Sequence, residues 1–101
     1  MTFSITTDAD PIVLKIEGEL DAVTVPELRA PIERLVESRP GRVVVDLSSL
    51  RVIDSSGVGA LVSLYKRVRA TGGHVSVTGL RDQPLAIFRL LRLDGVLAGA
   101  R

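Results

Sequence analysis

The residues of this chain that could do chemistry form a short polar turn of Asp54, Ser55, Ser56 and Gly57. The turn joins an apolar β-branched run to a stretch with helical spacing, so its hydroxyls fall at a strand-to-helix junction. Because a helix N-terminus favours negative charge, this is a physically sensible place to carry a phosphate. Taken alone, the same residues are typical of a turn whose side chains cap a helix, and the sequence does not decide which residue caps.

The rest of the chain gives this turn little support as a catalytic centre. His74 is the only histidine, and no Gly-x-Ser-x-Gly elbow surrounds Ser55, so a Ser-His nucleophile pair lacks its usual context. Gly57 and Gly59 are half of a dinucleotide-binding fingerprint without the third glycine, and no P-loop is present. We expect no enzyme, no catalytic residue, no cofactor and no metal site. An enzyme with Ser55 as nucleophile is the last of the alternatives.

Two alternating apolar patterns near the N-terminus predict strands. Phe3 and Ile5 alternate with polar residues. In positions 12–17, the apolar residues at 12, 14 and 16 alternate with Val13 and the charged residues at 15 and 17. The segment 7–11 between them is a turn by composition, which favours an antiparallel pair. Gly18 is expected to end the second strand.

The next segment predicts an amphipathic helix. Thr24 and Glu27 have capping-box spacing, and apolar residues then recur at helical intervals until about Ser38. Pro31 lies inside this helix, where it removes a hydrogen bond, so we expect a kink or a split.

Two elements flank the polar turn. The β-branched run 42–47 lacks alternation, which predicts a strand covered on both faces at the centre of the sheet. Residues 58–70 have helical spacing and predict a second helix. Gly72 or Gly73 is expected to end that helix in a left-handed conformation.

The C-terminal third predicts three further elements. Val75 and Val77 alternate with polar residues as a fourth strand, and Asp82 opens a third helix. Val96 and Leu97 are candidates for a short final strand.

The order of these elements predicts an α/β domain with a mixed, mostly parallel sheet of four to five strands, an antiparallel N-terminal edge strand and three to four helices. Loops that leave the carboxyl ends of parallel strands share one rim, where open α/β domains usually bind. Residues 18–21 and 53–57 should therefore lie on the same rim.

Composition limits the classes of partner. The 101 residues, 46% hydrophobic and 25% charged, describe one compact soluble domain, and the lack of cysteine excludes disulfides and thiolate metal sites. A net charge of +1 and three separated aromatic residues argue against binding to nucleic acid or an anionic membrane. We see no signal peptide and no apolar run of spanning length, and expect a cytoplasmic protein.

Four motifs together resemble the STAS domains, and within them the bacterial anti-sigma factor antagonists. They are GELD at 18–21, VVVDL at 43–47, IDSSGVG at 53–59 and the glycine pair at 72–73. These motifs span nearly the whole chain, so the resemblance implies one STAS domain over residues 1–101. It is similar to the stand-alone antagonists rather than to the domains attached to transporters.

The resemblance implies a switch protein. The unmodified form would bind an anti-sigma factor that is also a serine kinase, and this would free the sigma factor. The kinase would phosphorylate Ser55 and weaken the complex, and a PP2C-type phosphatase would restore it. ATP would belong to the kinase. The resemblance implies a partner-binding surface made of Asp21, Asp54, Ser55, Ser56, Gly57 and Gly59.

Several alternatives stay open at this point. Asp21 is equally well a loop carboxylate or a partner contact, and Gly59 serves either close packing or the approach of a partner. The basic clusters 66–69 and 89–92 are expected to form solvated faces near helix ends, with an acidic partner surface as the weaker alternative. A non-switching STAS adaptor in a stress-sensing or lipid-transport assembly is the second function, and a weak homodimer is not decided.

Overall fold

A five-stranded mixed sheet with helices packed against it forms the domain. The computed structural model describes residues 1–95 and residue 97. Its elements in chain order are β1 (Thr2–Thr6), β2 (Ile12–Leu20), a 3-10 helix (Val25–Leu28), α1 (Arg29–Glu37), β3 (Arg42–Asp46), β4 (Leu50–Ile53), α2 (Ser55–Ala70), β5 (His74–Thr78) and α3 (Asp82–Leu90). The predicted fold class is confirmed, with β4 as a strand that the sequence patterns did not predict.

The sheet runs in the order β1-β2-β3-β5, and β4 pairs with the C-terminal end of β2. Strands β1 and β2 are antiparallel, while the other pairings are parallel. The central position of β3, between β2 and β5, is confirmed. Gly18 does not end β2, which continues to Leu20. The pairing of β2 with β3 ends at Lys15 and its pairing with β4 begins at Gly18, whose φ of +90° accompanies a register shift between Gly18 and Glu19.

Burial alternates along the central strands. Val43 and Val45 on β3 are buried, whereas Val44 between them is half-buried. The expectation that β3 is covered on both faces holds only in part, because the face of Val43 and Val45 is buried while the face of Val44 and Asp46 is half-buried. The core on the buried face includes Leu14, Ile16, Val43, Val45, Leu61, Leu64, Val75 and Val77.

The first helix is split, as Pro31 predicted, but its start differs from the prediction. The 3-10 helix ends at Leu28, and α1 begins at Arg29, so Pro31 is the third residue of α1, where a helix needs no N–H donor. The predicted capping box is wrong, because the Thr24 side chain makes no cap hydrogen bond to this helix. Helix α1 ends at Glu37 with Ser38 as its C-cap, as expected.

Helix α2 begins three residues earlier than the apolar stripe indicated, at Ser55. Its C-terminus is a Schellman motif, in which Gly72 has a φ of +88° and the Gly73 N–H donates to the Val68 carbonyl over 3.0 Å. The left-handed glycine is thus Gly72.

Helix α3 packs on β4 and completes its outer edge. The Gln83 side-chain amide accepts from the Ile53 N–H and donates to the Ile53 carbonyl, both over 2.9 Å. The predicted final strand is only partly within the described residues. Val96 lies outside them, and Leu97 lies in a turn, where its carbonyl accepts from the Val77 N–H.

Candidate functional site

Two neighbouring parallel strands end side by side at the polar turn. Leu20, the last residue of β2, is paired with Ile53, the last residue of β4. Asp21 and Asp54 therefore follow strands that end on one rim, as predicted, although the strand before the polar turn is β4 and not the β-branched strand β3. The Asp54 N–H donates to the Leu20 carbonyl over 3.2 Å and extends the ladder by one bond beyond the strands.

Asp54 is the residue that caps α2. It has extended backbone, and its Oδ1 accepts from the Gly57 N–H over 3.0 Å, which satisfies one of the unpaired amides of the first helical turn. Its Oδ2 accepts from the Ala22 N–H over 3.2 Å. One carboxylate thus joins the start of α2 to the loop that follows β2.

Because Asp54 caps the helix, the side chains of Ser55 and Ser56 remain exposed to solvent. Ser55 and Ser56 are the first two residues of α2, and both are exposed. Across residues 1–95 and 97, neither hydroxyl takes part in a hydrogen bond, since Asp54 performs the capping. The amides of the first helical turn lie beside Ser55 and favour negative charge there.

Gly57 holds the helix start against the strands. A Cβ at this position would lie 2.5 Å from the Leu20 carbonyl oxygen and 2.7 Å from Ile53 Cγ1, so only glycine fits. Gly59 is different, because a Cβ there would meet nothing within 4 Å. Gly59 therefore serves no close packing in the described domain, and the approach of a partner remains its predicted role.

Asp21 organises its own loop. Its Oδ1 accepts from the N–H groups of Val23 and Thr24, each over 3.0 Å, and the Thr24 hydroxyl lies 3.2 Å away. These hydrogen bonds, with those to Thr24 the strongest, hold the pKa of the Asp21 carboxyl below its ordinary value. Asp21 is therefore a loop-shaping carboxylate on the predicted rim, and its contact with a partner stays a prediction.

The sequence patterns missed the part played by the loop after β2. Val23 is 82% exposed and follows Ala22, whose N–H donates to Asp54. The Asp-x-x-Thr spacing of Asp21 and Thr24 is the signal that could have revealed this loop, because such residues bond to backbone amides two and three positions on.

The other candidate groups lie apart from the site or are already paired. His74 begins β5, at the opposite rim from Ser55, so the two cannot act together. Arg67 makes two hydrogen bonds to Glu33 on α1, over 2.7 and 2.8 Å. Arg69 stacks at 5.8 Å on the Tyr65 ring. Within the described residues, no cluster of His, Asp or Glu could hold a metal ion.

No helix among the described residues is both long enough and apolar enough to cross a membrane. The longest, α2, has 16 residues.

Comparisons with known proteins agree on one family. A family model described as "Mlab, STAS domain" matches residues 3–98. The anti-sigma-B factor antagonist of Listeria monocytogenes is 31% identical to this chain, over 88% of this chain and 75% of its own length.

Solved structures agree with this result. The crystal structure of an anti-sigma factor antagonist from Mycobacterium paratuberculosis is 28% identical, with a TM-score of 0.83 over 95% of this chain and 81% of its own. The unphosphorylated form of the anti-sigma factor antagonist SpoIIAA, at 22% identity and a TM-score of 0.73 over 88% of this chain and 83% of its own, shows the same fold. The chain therefore belongs to the STAS domain family, together with relatives named as anti-sigma factor antagonists.

Proposed function

We propose that this protein is an anti-sigma factor antagonist controlled by phosphorylation of Ser55. Its unmodified form binds an anti-sigma factor that is also a serine kinase, and thereby releases the sigma factor. Phosphate on Ser55 turns this binding off, and a PP2C-type phosphatase turns it on again. ATP is bound by the kinase, and this chain needs no cofactor of its own.

The observation that carries the proposal is that Asp54 caps α2 and the neighbouring Ser55 does not. Asp54 satisfies the Gly57 amide over 3.0 Å, so the exposed Ser55 hydroxyl has no structural task to give up when it is modified. A kinase needs an accessible hydroxyl on a backbone that can bear two more negative charges. The first residue of a helix provides both.

Phosphate at this position acts on the contact surface rather than on the fold. It adds about −1.5 to −2 charges at pH 7. The helix N-terminus tolerates that charge, but the rim already carries the carboxylates of Asp21 and Asp54. A partner that fits the unmodified rim would have to desolvate this added charge. A thousandfold loss of affinity corresponds to about 4 kcal/mol, which one misplaced interfacial dianion can supply.

The test uses the purified chain, its cognate anti-sigma factor kinase and ATP. Intact-mass analysis should show one added phosphate on the natural chain and none on Ser55→Ala. Ser56→Ala is the matched control, because it removes the neighbouring exposed hydroxyl, and it should still be phosphorylated once.

Binding provides the second half of the test. Titration of the kinase should give Ser55→Ala the affinity of the unmodified chain, while Ser55→Asp should bind at least tenfold more weakly, with little change in Tm. Equal affinities of the two variants would contradict the switch. Stable binding to an assembly without any kinase-dependent mass shift would favour the non-switching adaptor instead.

A further inference from the structure

Strand β1 is an edge strand without the usual protection. It pairs with β2 on one side, and no described residue pairs with its other side. Its sequence, TFSIT, contains no charge and no proline, and its register with β2 has no bulge. Charges, prolines and bulges are the common means by which proteins prevent pairing along an exposed edge. The free edge of β1 is thus open to another strand.

Apolar surface lies beside this edge. Phe3 and Ile5 are half-buried and face the helix layer, whereas the alternate residues of β1 are exposed. A groove of about 510 Å³ separates β1 from α1, and its helix side is lined by Pro31 and Leu35 together with Arg34 and Ser38. Whatever pairs with β1 therefore also gains apolar contact in this groove.

The sequence of β1 is symmetric in character about Ser4. Antiparallel pairing of two such strands about Ser4 sets Thr2 opposite Thr6 and Phe3 opposite Ile5, so every pair is of matching type. Aromatic and β-branched residues opposite one another are a favoured cross-strand combination, and so are two threonines. A slip by one residue would bring Phe3 onto the same face as Thr6 and mix the two faces.

We propose that the partner of this edge is a second copy of the chain, joined through β1 about a two-fold axis at Ser4. The two sheets then become continuous, and the grooves beside Phe3 and Ile5 close on one another. Five residues from each copy make a small interface of the transient class, so we expect a dissociation constant on the order of 0.1 mM. This dimer is independent of the Ser55 switch.

Cross-linking tests the register. The chain has no cysteine, so Ser4→Cys carries a single thiol. Opposed residues of an antiparallel pair have Cα atoms about 4.5–5.5 Å apart, within the reach of a disulfide. Thr2→Cys is the matched control on the same strand and face, because two copies of residue 2 would lie about 13 Å apart.

We expect mild oxidation to produce disulfide-linked dimers of Ser4→Cys at least tenfold faster than those of Thr2→Cys. Equal rates would overturn the proposed register. Dilution to a concentration well below the dissociation constant should remove the difference.

A charge variant tests the dimer without a cross-link. Ser4→Glu places two carboxylates opposite each other across the axis, while within one chain its neighbour is Lys15. His74→Glu is the control on the other edge of the sheet, where its neighbour is Arg42. Both positions are exposed, so both variants should fold with an unchanged circular dichroism spectrum.

Sedimentation equilibrium up to about 1 mM should show the average mass of the natural chain and of His74→Glu rising toward a dimer. Ser4→Glu should remain a monomer. A natural chain that stays monomeric over this range, or a Ser4→Glu variant that still associates, would overturn the proposal.

Discussion

Removal of the Asp54 carboxylate should destabilise the domain measurably, because this group makes two separate hydrogen bonds. Loss of the cap on the Gly57 amide costs about 1 kcal/mol. Loss of the bond from the Ala22 amide, at an exposed loop, adds about 0.5–1 kcal/mol. Asp54→Ala should therefore lower the free energy of unfolding by about 1.5–2 kcal/mol, and the Tm by about 6–16 °C for a domain of this size.

One further variant separates the two bonds, and two serine variants serve as controls. Asp54→Asn keeps an oxygen acceptor for the Gly57 amide but offers an NH₂ group in place of the oxygen that binds Ala22, so it should lose only about 0.5–1 kcal/mol. Ser55→Ala and Ser56→Ala should each stay within about 0.5 kcal/mol of the natural chain.

Urea unfolding followed by circular dichroism measures all four variants under one condition. The assignment of the cap would be refuted if Ser55→Ala or Ser56→Ala lost more stability than Asp54→Ala. Equal losses in Asp54→Ala and Asp54→Asn would show instead that the bond to the Ala22 amide dominates.

The glycines of α2 and the carboxylate of Asp21 give further predictions. Gly57→Ala places a Cβ against the Leu20 carbonyl and should lower the free energy of unfolding by about 1–3 kcal/mol. Gly59→Ala meets open space and should raise it by about 0.5–1 kcal/mol. The same urea unfolding measures both variants, and equal effects would contradict the packing at Gly57. The pKa of Asp21 is lowered by its bonds to Thr24, so its contribution to stability is complete above the unfolded pKa of about 3.9 and is lost as the pH falls through the lower folded pKa. Asp21→Asn should lose less stability on acidification than the natural chain, and parallel pH profiles would contradict this.

Sequence patterns predicted the fold where one local preference decided an element. The alternation in β1 and β5, the split of the first helix ahead of Pro31 and the glycine stop of α2 depend on the residues themselves, and all are confirmed. The short strand β4 was missed because only its end residues, Leu50 and Ile53, are buried, and this spacing lacks the alternation that predicts a strand. Strand β4 forms because it pairs with the C-terminal end of β2 on one side and contacts α3 on the other.

The candidate site, like the fold, could be predicted from the sequence only in part. The shared rim follows from the order of the strands and from the position of the polar turn. The cap did not follow, because Asp54, Ser55 and Ser56 are all good capping residues, and only the backbone geometry selects Asp54. The capping box predicted at Thr24 was wrong for a related reason. The Thr24 hydroxyl accepts from the N–H of the preceding Asp21 and does not cap the helix that follows.

The contact between Gln83 and Ile53 also bears on how the chain acquires its fold. Gln83 lies 30 residues after the strand residue whose amide and carbonyl it satisfies. A chain growing from its N-terminus therefore has the outer side of β4 unpaired until α3 is made, and unpaired strand edges are where nascent chains aggregate. In a truncated chain that ends before α3, strand β4 would expose an unpaired edge at which other chains could pair and aggregate.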